Sequence, residues 1–487
     1  MEHIPAKIKQ ANPAFCVVVD DNQTIYDLKV VLQPLTESGY TIHDWTAADG
    51  INGRDDTKFN PMSAIEYFKG MARKSIIIAE DFGMYWKQSD PNIVSLIKGL
   101  VRHNMREHKC LIVVQHEESI PKELEDMFER IEVKRPDKEQ RIRFIGHTLF
   151  NVLEQNPDKE TIIERLANET GGLTKVKIMK LLAQLFSSAN PDYEELYKAA
   201  RVERNKVIND TKGLEIFESE FPELGGYEVV KERIRQLKYL KENKHKHARG
   251  NKVPEPRGIM LTGIPGCGKS LAAKEASRQA GLPLIKLALA DLYESLLGHT
   301  EQNWRKARNI IDSYGDCVLM IEELEKGMTT DSFGGGGTSQ RLFGDVLNWM
   351  QEKKGGSYII ATSNDISKFP PEFLRKGRWD DIFFFDLPNA EERREIWINQ
   401  LRDKEPEQEF HVLNLVEDSD GFTGAEIEAV IVEALQKKFY TNPEEMITTE
   451  EIFEVIDNTI PLSQSAADKL EYYRHKMNAG ELKSASK

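Results

Sequence analysis

Short apolar runs of strand length recur along the chain, separated by amphipathic stretches of helical length. Ile76–Ala79 (IIIA), Cys110–Val114 (CLIVV), Ile259–Leu261 (IML), Val318–Ile321 (VLMI) and Ile359–Ala361 (IIA) place apolar side chains on consecutive positions. A strand that is apolar at every position, rather than at every second one, is covered on both faces. That is the condition of a parallel sheet with helices packed above and below it. The pattern therefore predicts an α/β fold. At 487 residues the chain exceeds what one core sustains, so two to four domains are expected.

The pattern also repeats. Cys110–Phe144 (CLIVVQHEESIPKELEDMFERIEVKRPDKEQRIRF) and Tyr358–Ile396 (YIIATSNDISKFPPEFLRKGRWDDIFFFDLPNAEERREI) both run strand, polar turn, proline-led helix and second strand. Each then opens a helix with Pro-x-x-Glu-x-Arg. Upstream, Ser75–Asp81 echoes Cys317–Glu323; downstream, Leu166–Thr174 echoes Asp418–Gly424. Two nucleotidase-like modules in tandem account for this, as does a shared topology without common descent. The expected division is a first α/β module over 1–148 and a helical segment over 149–212, ending in a charged linker from Lys198 to Lys212. A second α/β domain then covers 213–390 and a small helical lid 391–477. The tail Asn478–Lys487, small and polar, is expected to be disordered.

Only the second module carries a phosphate motif. Gly263-Ile264-Pro265-Gly266-Cys267-Gly268-Lys269-Ser270 satisfies G-x-x-x-x-G-K-[ST] between a strand-length run and the helix-prone Leu271–Ala276. Small residues let main-chain N–H groups face a phosphate, and the helix dipole favours the negative charge. Lys269 is expected to reach the β- and γ-phosphates and the Ser270 hydroxyl to ligate Mg²⁺. The motif predicts a P-loop nucleotidase that binds a nucleoside triphosphate. In the first module the run expected at the cradle, Ala47–Asp56 (AADGINGRDD), is acidic and lacks the lysine, so that module is expected to be degenerate.

Hydrolysis of a γ-phosphate needs a Mg²⁺ anchor, a positioned water, a detector of the phosphate and a cation for developing charge. Glu322 and Glu323 end one buried strand, two carboxylates that together suit metal coordination and water polarisation. Asn364 ends another, where it can hold the attacking water or sense the γ-phosphate. Arg375 and Arg378 follow on an exposed glycine turn, a surface basic turn unless the rest of the pattern gives them work. Gly225-Gly226 before an amphipathic helix suits a turn at the edge of the nucleotide.

Charge and composition narrow the classes. Asp and Glu number 80 against 66 Lys and Arg, and a net charge of −14 argues against general polyanion binding. The dense basic cluster Lys241–Lys252 reads as a solvated loop. His103, His108, Cys110 and His116 straddle a helix and a buried strand, which favours a structural role over a metal site. Four scattered cysteines suit a reducing cytosol. With no apolar stretch near the ~20 residues of a membrane span and no signal-peptide pattern at Met1–Pro5, a cytoplasmic location is expected.

From Gly263 to Leu435 the sequence resembles the classical AAA clade of AAA+ ATPases, on GKS, the acidic pair, ATSN, FLRKGRWD and GFTGAEI in that order. The tandem layout, GGGGTSQRLFGDVLNWMQEK, LRKGRWDDIFFFDLP and the PLSQSAADKLEYYRHK tail look closer still to AAA proteins encoded in plastid and cyanobacterial genomes. The resemblance implies an ATPase that uses ATP and Mg²⁺, with Glu323 activating water and Asn364 as first sensor. It implies that Arg375 and Arg378 are arginine fingers donated to a neighbouring subunit. Gly424-Ala425 is then the second-sensor dipeptide near the nucleoside, and the assembly a ring of identical chains, usually a hexamer.

Two departures stand out. The clade places Asp where this chain has Glu322, and slower hydrolysis is expected from the misplaced carboxylate. The clade's aromatic pore loop reads Ser295-Leu296-Leu297-Gly298-His299-Thr300, without the aromatic residue, and Tyr293 beside it is either loop or core. Gly334–Gly337 suits a second pore loop. The leading expectation is a ring ATPase remodelling an unidentified protein client. A slow nucleotide-gated scaffold is the alternative, and a nucleic-acid motor is disfavoured by charge.

Overall fold

The computed structural model describes the chain except residues 2, 20–22, 87–90, 117–119, 155, 187–191, 219–222, 244–252, 255, 294–298, 328–335, 354–355, 371, 376, 407 and 487. It divides into two compact units, Met1–Arg201 and Val202–Lys487.

In the first unit, β1 (Ala14–Val18), β2 (Thr41–Thr46), β3 (Gly50–Ile51), β4 (Ser75–Glu80), β5 (Cys110–Gln115) and β6 (Glu129–Glu132) form one sheet in the order β3-β2-β4-β5-β1-β6. In the second, β7 (Leu214–Phe217), β8 (Gly258–Gly263), β9 (Leu284–Leu287), β10 (Cys317–Ile321), β11 (Ser357–Ser363), β12 (Asp381–Phe385) and β13 (Lys483–Ser484) lie in the order β13-β12-β8-β11-β10-β9-β7. The central strands of both sheets pair in parallel, and β5, β8 and β10 are buried at every position. This is the mixed α/β architecture of a P-loop nucleotidase, and consecutive apolar residues are what two covered faces require.

The two sheets share one topology. Read along the sheet, β2-β4-β5-β1-β6 corresponds strand for strand to β9-β10-β11-β8-β12, so in each the first strand lies between the fourth and the fifth. Details follow the same correspondence. Asp81 and Glu323, just beyond the ends of the corresponding strands β4 and β10, both adopt left-handed backbone, φ +53° and +47°. The repeated Pro-x-x-Glu-x-Arg also gains a physical reason. Buried Arg141 donates through Nε to Ala167 O and through Nη1 to Pro136 O, both at 2.8 Å. Buried Arg393 does the same to Val416 O at 3.2 Å and Pro388 O at 3.0 Å. Each guanidinium ties the start of its helix to the helical segment that follows. Both helices begin with a capping box, Asp137/Gln140 and Asn389/Glu392.

This topology corrects the placement of the missing cradle. Because β1 stands where β8 stands, the counterpart of the P-loop is the short connection from Val18 to the helix Gln23–Thr36, not Ala47–Asp56. Its middle, residues 20–22, lies outside the described residues; its sequence, VDDN from Val19, has neither glycine nor lysine. The run 47–56 instead holds β3, an antiparallel partner of β2.

Three expectations about boundaries change as well. Lys198–Asn209 belongs to the helix Tyr193–Asn209, within which one unit ends and the next begins, and it is not a solvated charged stretch, since Ala200 and Ile208 are fully buried. The lid has its own core around Trp397, Ile427, Ile431 and Ile452. The C-terminal helix Ala467–Asn478 does not belong to it: Leu470 and Tyr473 pack in the core of the α/β sheet. Nor is the tail disordered. β13 extends the sheet beside β12, while Leu482 and Ala485 are buried, so two apolar side chains and an edge strand fix a segment of polar composition. The basic cluster 241–252 and Leu296, Leu297 and Gly298 fall mostly or wholly outside the described residues. His103, His108, Cys110 and His116 form no metal-binding group among the described residues.

Candidate nucleotide site

A cavity of about 430 Å³ opens at the C-terminal ends of β8, β10 and β11, bounded by the P-loop on one side and the lid on the other. Crevices of this kind, beyond the carboxyl ends of parallel strands, are where open α/β sheets bind ligands. The loop from Pro265 to Leu271 lines it. Gly266 and Gly268 hold φ +83° and +84°, conformations that side chains disfavour, and Gly268 caps the helix Lys269–Ala280. A Cβ on Gly266 would stand 2.9 Å from Thr423 Oγ1, so the loop backbone fits closely under the lid.

Gly263 and Ile264 are not among the lining residues and contribute their carbonyls instead. Lys269 Nζ donates to Gly263 O at 2.9 Å and Ile264 O at 2.7 Å. Burial pushes this ammonium down to about 8, with nearby carboxylates opposing the shift. The same burial pushes the Cys267 thiol up to about 12. The ammonium thus rests on weak neutral acceptors, ready to exchange them for an anionic one.

Glu322, Glu323, Thr362 and Asn364 line the cavity across from the loop. Asn364 Nδ2 donates to Glu323 Oε1 at 3.2 Å, and Thr362 Oγ1 accepts from Glu323 N at 3.1 Å. Glu323 Oε2 meets Lys326 Nζ at 2.5 Å. Glu322 Oε2 is engaged by Lys286 Nζ of β9 at 2.8 Å, a contact no motif announces. Ser270, Glu322 and Glu323 present hard oxygen donors to one cavity, a donor set that fits Mg²⁺.

The lid supplies the far wall. Thr423 caps the helix Gly424–Thr441 in a capping box with Glu426, and Ala425 N donates to Gly266 O at 3.1 Å. Gly424 and Ala425 both line the cavity. Gly225-Gly226 forms the turn expected of it: Gly226 N donates to Glu395 Oε2 at 2.7 Å and Tyr227 N to Glu392 Oε1 at 3.0 Å. Asn399, Gln400 and Glu428 of the lid also face the cavity, on amphipathic helices whose pattern does not distinguish them from other exposed polar positions.

Arg375 and Arg378 are not among the lining residues. Arg375 is exposed and lies 3.9 Å from Glu372; Arg378 is half-buried on the same turn. Tyr293 is a half-buried loop residue at the end of a short 3-10 turn, its hydroxyl donating to Gly327 O at 2.6 Å.

Fold and site define a P-loop domain of the AAA class. The model of the ATPase family associated with various cellular activities (AAA) matches residues 259–387, and that of the SpoVK-like AAA ATPase N-terminal domain matches 13–133. The AAA domain-containing protein ycf46 of Gracilaria tenuistipitata var. liui is 32% identical over 437 residues, 87% of each chain. That of Guillardia theta is 27% identical over 482 residues, 96% of this chain and 92% of the relative. The chain therefore belongs to the ycf46 family of AAA domain-containing proteins. More distantly, the ATP-dependent zinc metalloprotease FtsH of Mesomycoplasma conjunctivae is 30% identical over 248 residues, 49% of this chain and 32% of the relative.

Proposed function

We propose that this protein is a Mg²⁺-dependent ATPase that works as a ring of identical subunits, a hexamer, to remodel or regulate a protein partner. The observation that carries the reading is the contact of Asn364 Nδ2 with Glu323 Oε1 on the wall facing Lys269. That contact joins a carboxylate and a polar amide in the cavity that Lys269 of the P-loop also lines, which supports Glu323 as the base. Lys269 and the loop amides hold the triphosphate, and Ser270 with Glu322 holds the metal, which screens phosphate charge when bound. Glu323 takes the proton of the attacking water, and Asn364 orients that carboxylate. Arg375 and Arg378 sit away from their own chain's cavity, which supports their service to a neighbour's site. No helix among the described residues is long and apolar enough to cross a membrane, and the proposed setting is the cytoplasm.

A second reading, a slow scaffold whose assembly is set by ATP, draws support from the Glu322–Lys286 pair, which withholds one oxygen of a metal-binding carboxylate. Measuring turnover beside oligomer size separates them. The remodelling ATPase shows turnover that rises on assembly, and Glu322→Asp raises kcat by releasing the carboxylate from Lys286. A chain that assembles on ATP with negligible turnover is a scaffold, and a Glu322→Asp rate no higher than the parent's removes the proposed handicap.

A further inference from the structure

The C-terminal helix carries a residue whose role neither the motif order nor the cavity reveals. Tyr473 is fully buried, and its hydroxyl sits at the junction of three chain segments. It accepts from Thr262 Oγ1 at 3.1 Å, one residue before the P-loop begins. It accepts from Ile366 N at 3.2 Å and donates to Asn364 O at 3.1 Å. The Asn364 N–H is held from the other side: it donates to Oε1 of buried Glu325 at 2.9 Å. Both main-chain polar groups of Asn364 are therefore fixed, one by a carboxylate and one by a phenol, with the next turn fixed through Ile366. The only freedom left to the residue is its own side chain, which reaches Glu323.

Packing holds the phenol in turn. Its ring stacks on Phe384 of β12 at 5.1 Å and 18°. Arg474, next along the helix, binds both oxygens of Asp386 at 2.8 and 2.9 Å. Beyond the helix, β13 is hydrogen-bonded into the sheet. Residues 467–486 thus form a brace whose polar tip, the Tyr473 hydroxyl, bears on the strand-end turn of Asn364.

We propose that Tyr473 is a positioning residue for ATP hydrolysis: its hydroxyl sets the turn at Asn364 and thereby the contact of that amide with Glu323. The inference rests on the hydrolase reading above. Small displacements of a group that orients the base slow chemistry without weakening nucleotide binding, and a shift of order 1 Å can cost about 10²-fold.

The test is Tyr473→Phe, which keeps the ring and its stack while deleting the hydroxyl. Single turnovers and steady-state rates are measured in the parent and in Asn364→Ala, so that slow chemistry is still counted. The expected result is a kcat lowered about 10- to 100-fold with KM for ATP within about twofold. In the Asn364→Ala background, adding Tyr473→Phe changes the rate less than about twofold, because the hydroxyl acts through that residue. Three results overturn the proposal: an unchanged kcat, an equal loss in both backgrounds, or KM and thermal stability falling together with kcat. A parent chain without turnover overturns the hydrolase reading and this inference with it, whereas a parent that turns over ATP beside an equally fast Tyr473→Phe overturns this inference alone.

Discussion

Lys269 offers a perturbation whose size follows from the structure. Burial lowers its ammonium to about 8, so the charged form dominates below that pH and is lost as pH rises through it. A bound triphosphate stabilises the charged form. Nucleotide binding must then draw a proton from solvent wherever the free protein has lost it. Simple titration gives an uptake of about 0.1 proton near pH 7, about 0.5 near pH 8 and about 0.9 near pH 9. Affinity falls about 2-fold at pH 8 and about 11-fold at pH 9 relative to acid conditions, the latter about 1.4 kcal/mol. The neighbouring Cys267 thiol, pushed up to about 12, stays protonated throughout. Calorimetry of ATP binding in pairs of buffers with different ionisation heats reads the uptake directly. Lys269→Arg is the control, since a guanidinium remains charged across this range and uptake should vanish. Uptake absent from the parent, or persisting undiminished in Lys269→Arg, would refute the reasoning.

Three further outcomes are expected. Glu323→Gln should lower kcat by about 10²- to 10⁴-fold while ATP affinity measured by calorimetry stays unchanged, because the amide keeps the contact but cannot accept a proton. Arg375→Ala and Arg378→Ala should each lower turnover about 10³-fold or more with binding intact, and mixing either with Glu323→Gln should restore activity above both, since each supplies what the other lacks. Arg141→Met should leave the carbonyls of Pro136 and Ala167 without their buried donor, at about 1–3 kcal/mol each; thermal unfolding should show the first unit melting earlier while ATP binding in the second is unchanged.

The motif-bearing strands and their order along the chain were legible because buried parallel strands are apolar throughout and end in the polar residues that do chemistry. Glu323 and Asn364 could be singled out for that reason, and the structure brings them into contact. The Pro-x-x-Glu-x-Arg repeat was visible as a pattern, but its cause was not: a buried guanidinium serving carbonyls 26 or 23 residues away is a tertiary fact. Glycine and aspartate at 47–56 mark the turns around an edge strand, whereas the position of the degenerate cradle is set by which strand lies between which. Composition misled at the tail, where Leu482 and Ala485 suffice to anchor a polar segment against β12. Lys286 and Tyr473 were invisible as site residues because both act from elements without a motif, across a sheet or from the far end of the chain.

Counting nucleotides per chain tests the central claim most directly. Equilibrium dialysis of the intact protein against Mg²⁺ and ATP should find one nucleotide per chain, lost on Lys269→Met, because the second unit holds a cradle and the first has VDDN in its place. Two nucleotides per chain, none, or one that survives Lys269→Met would contradict the account.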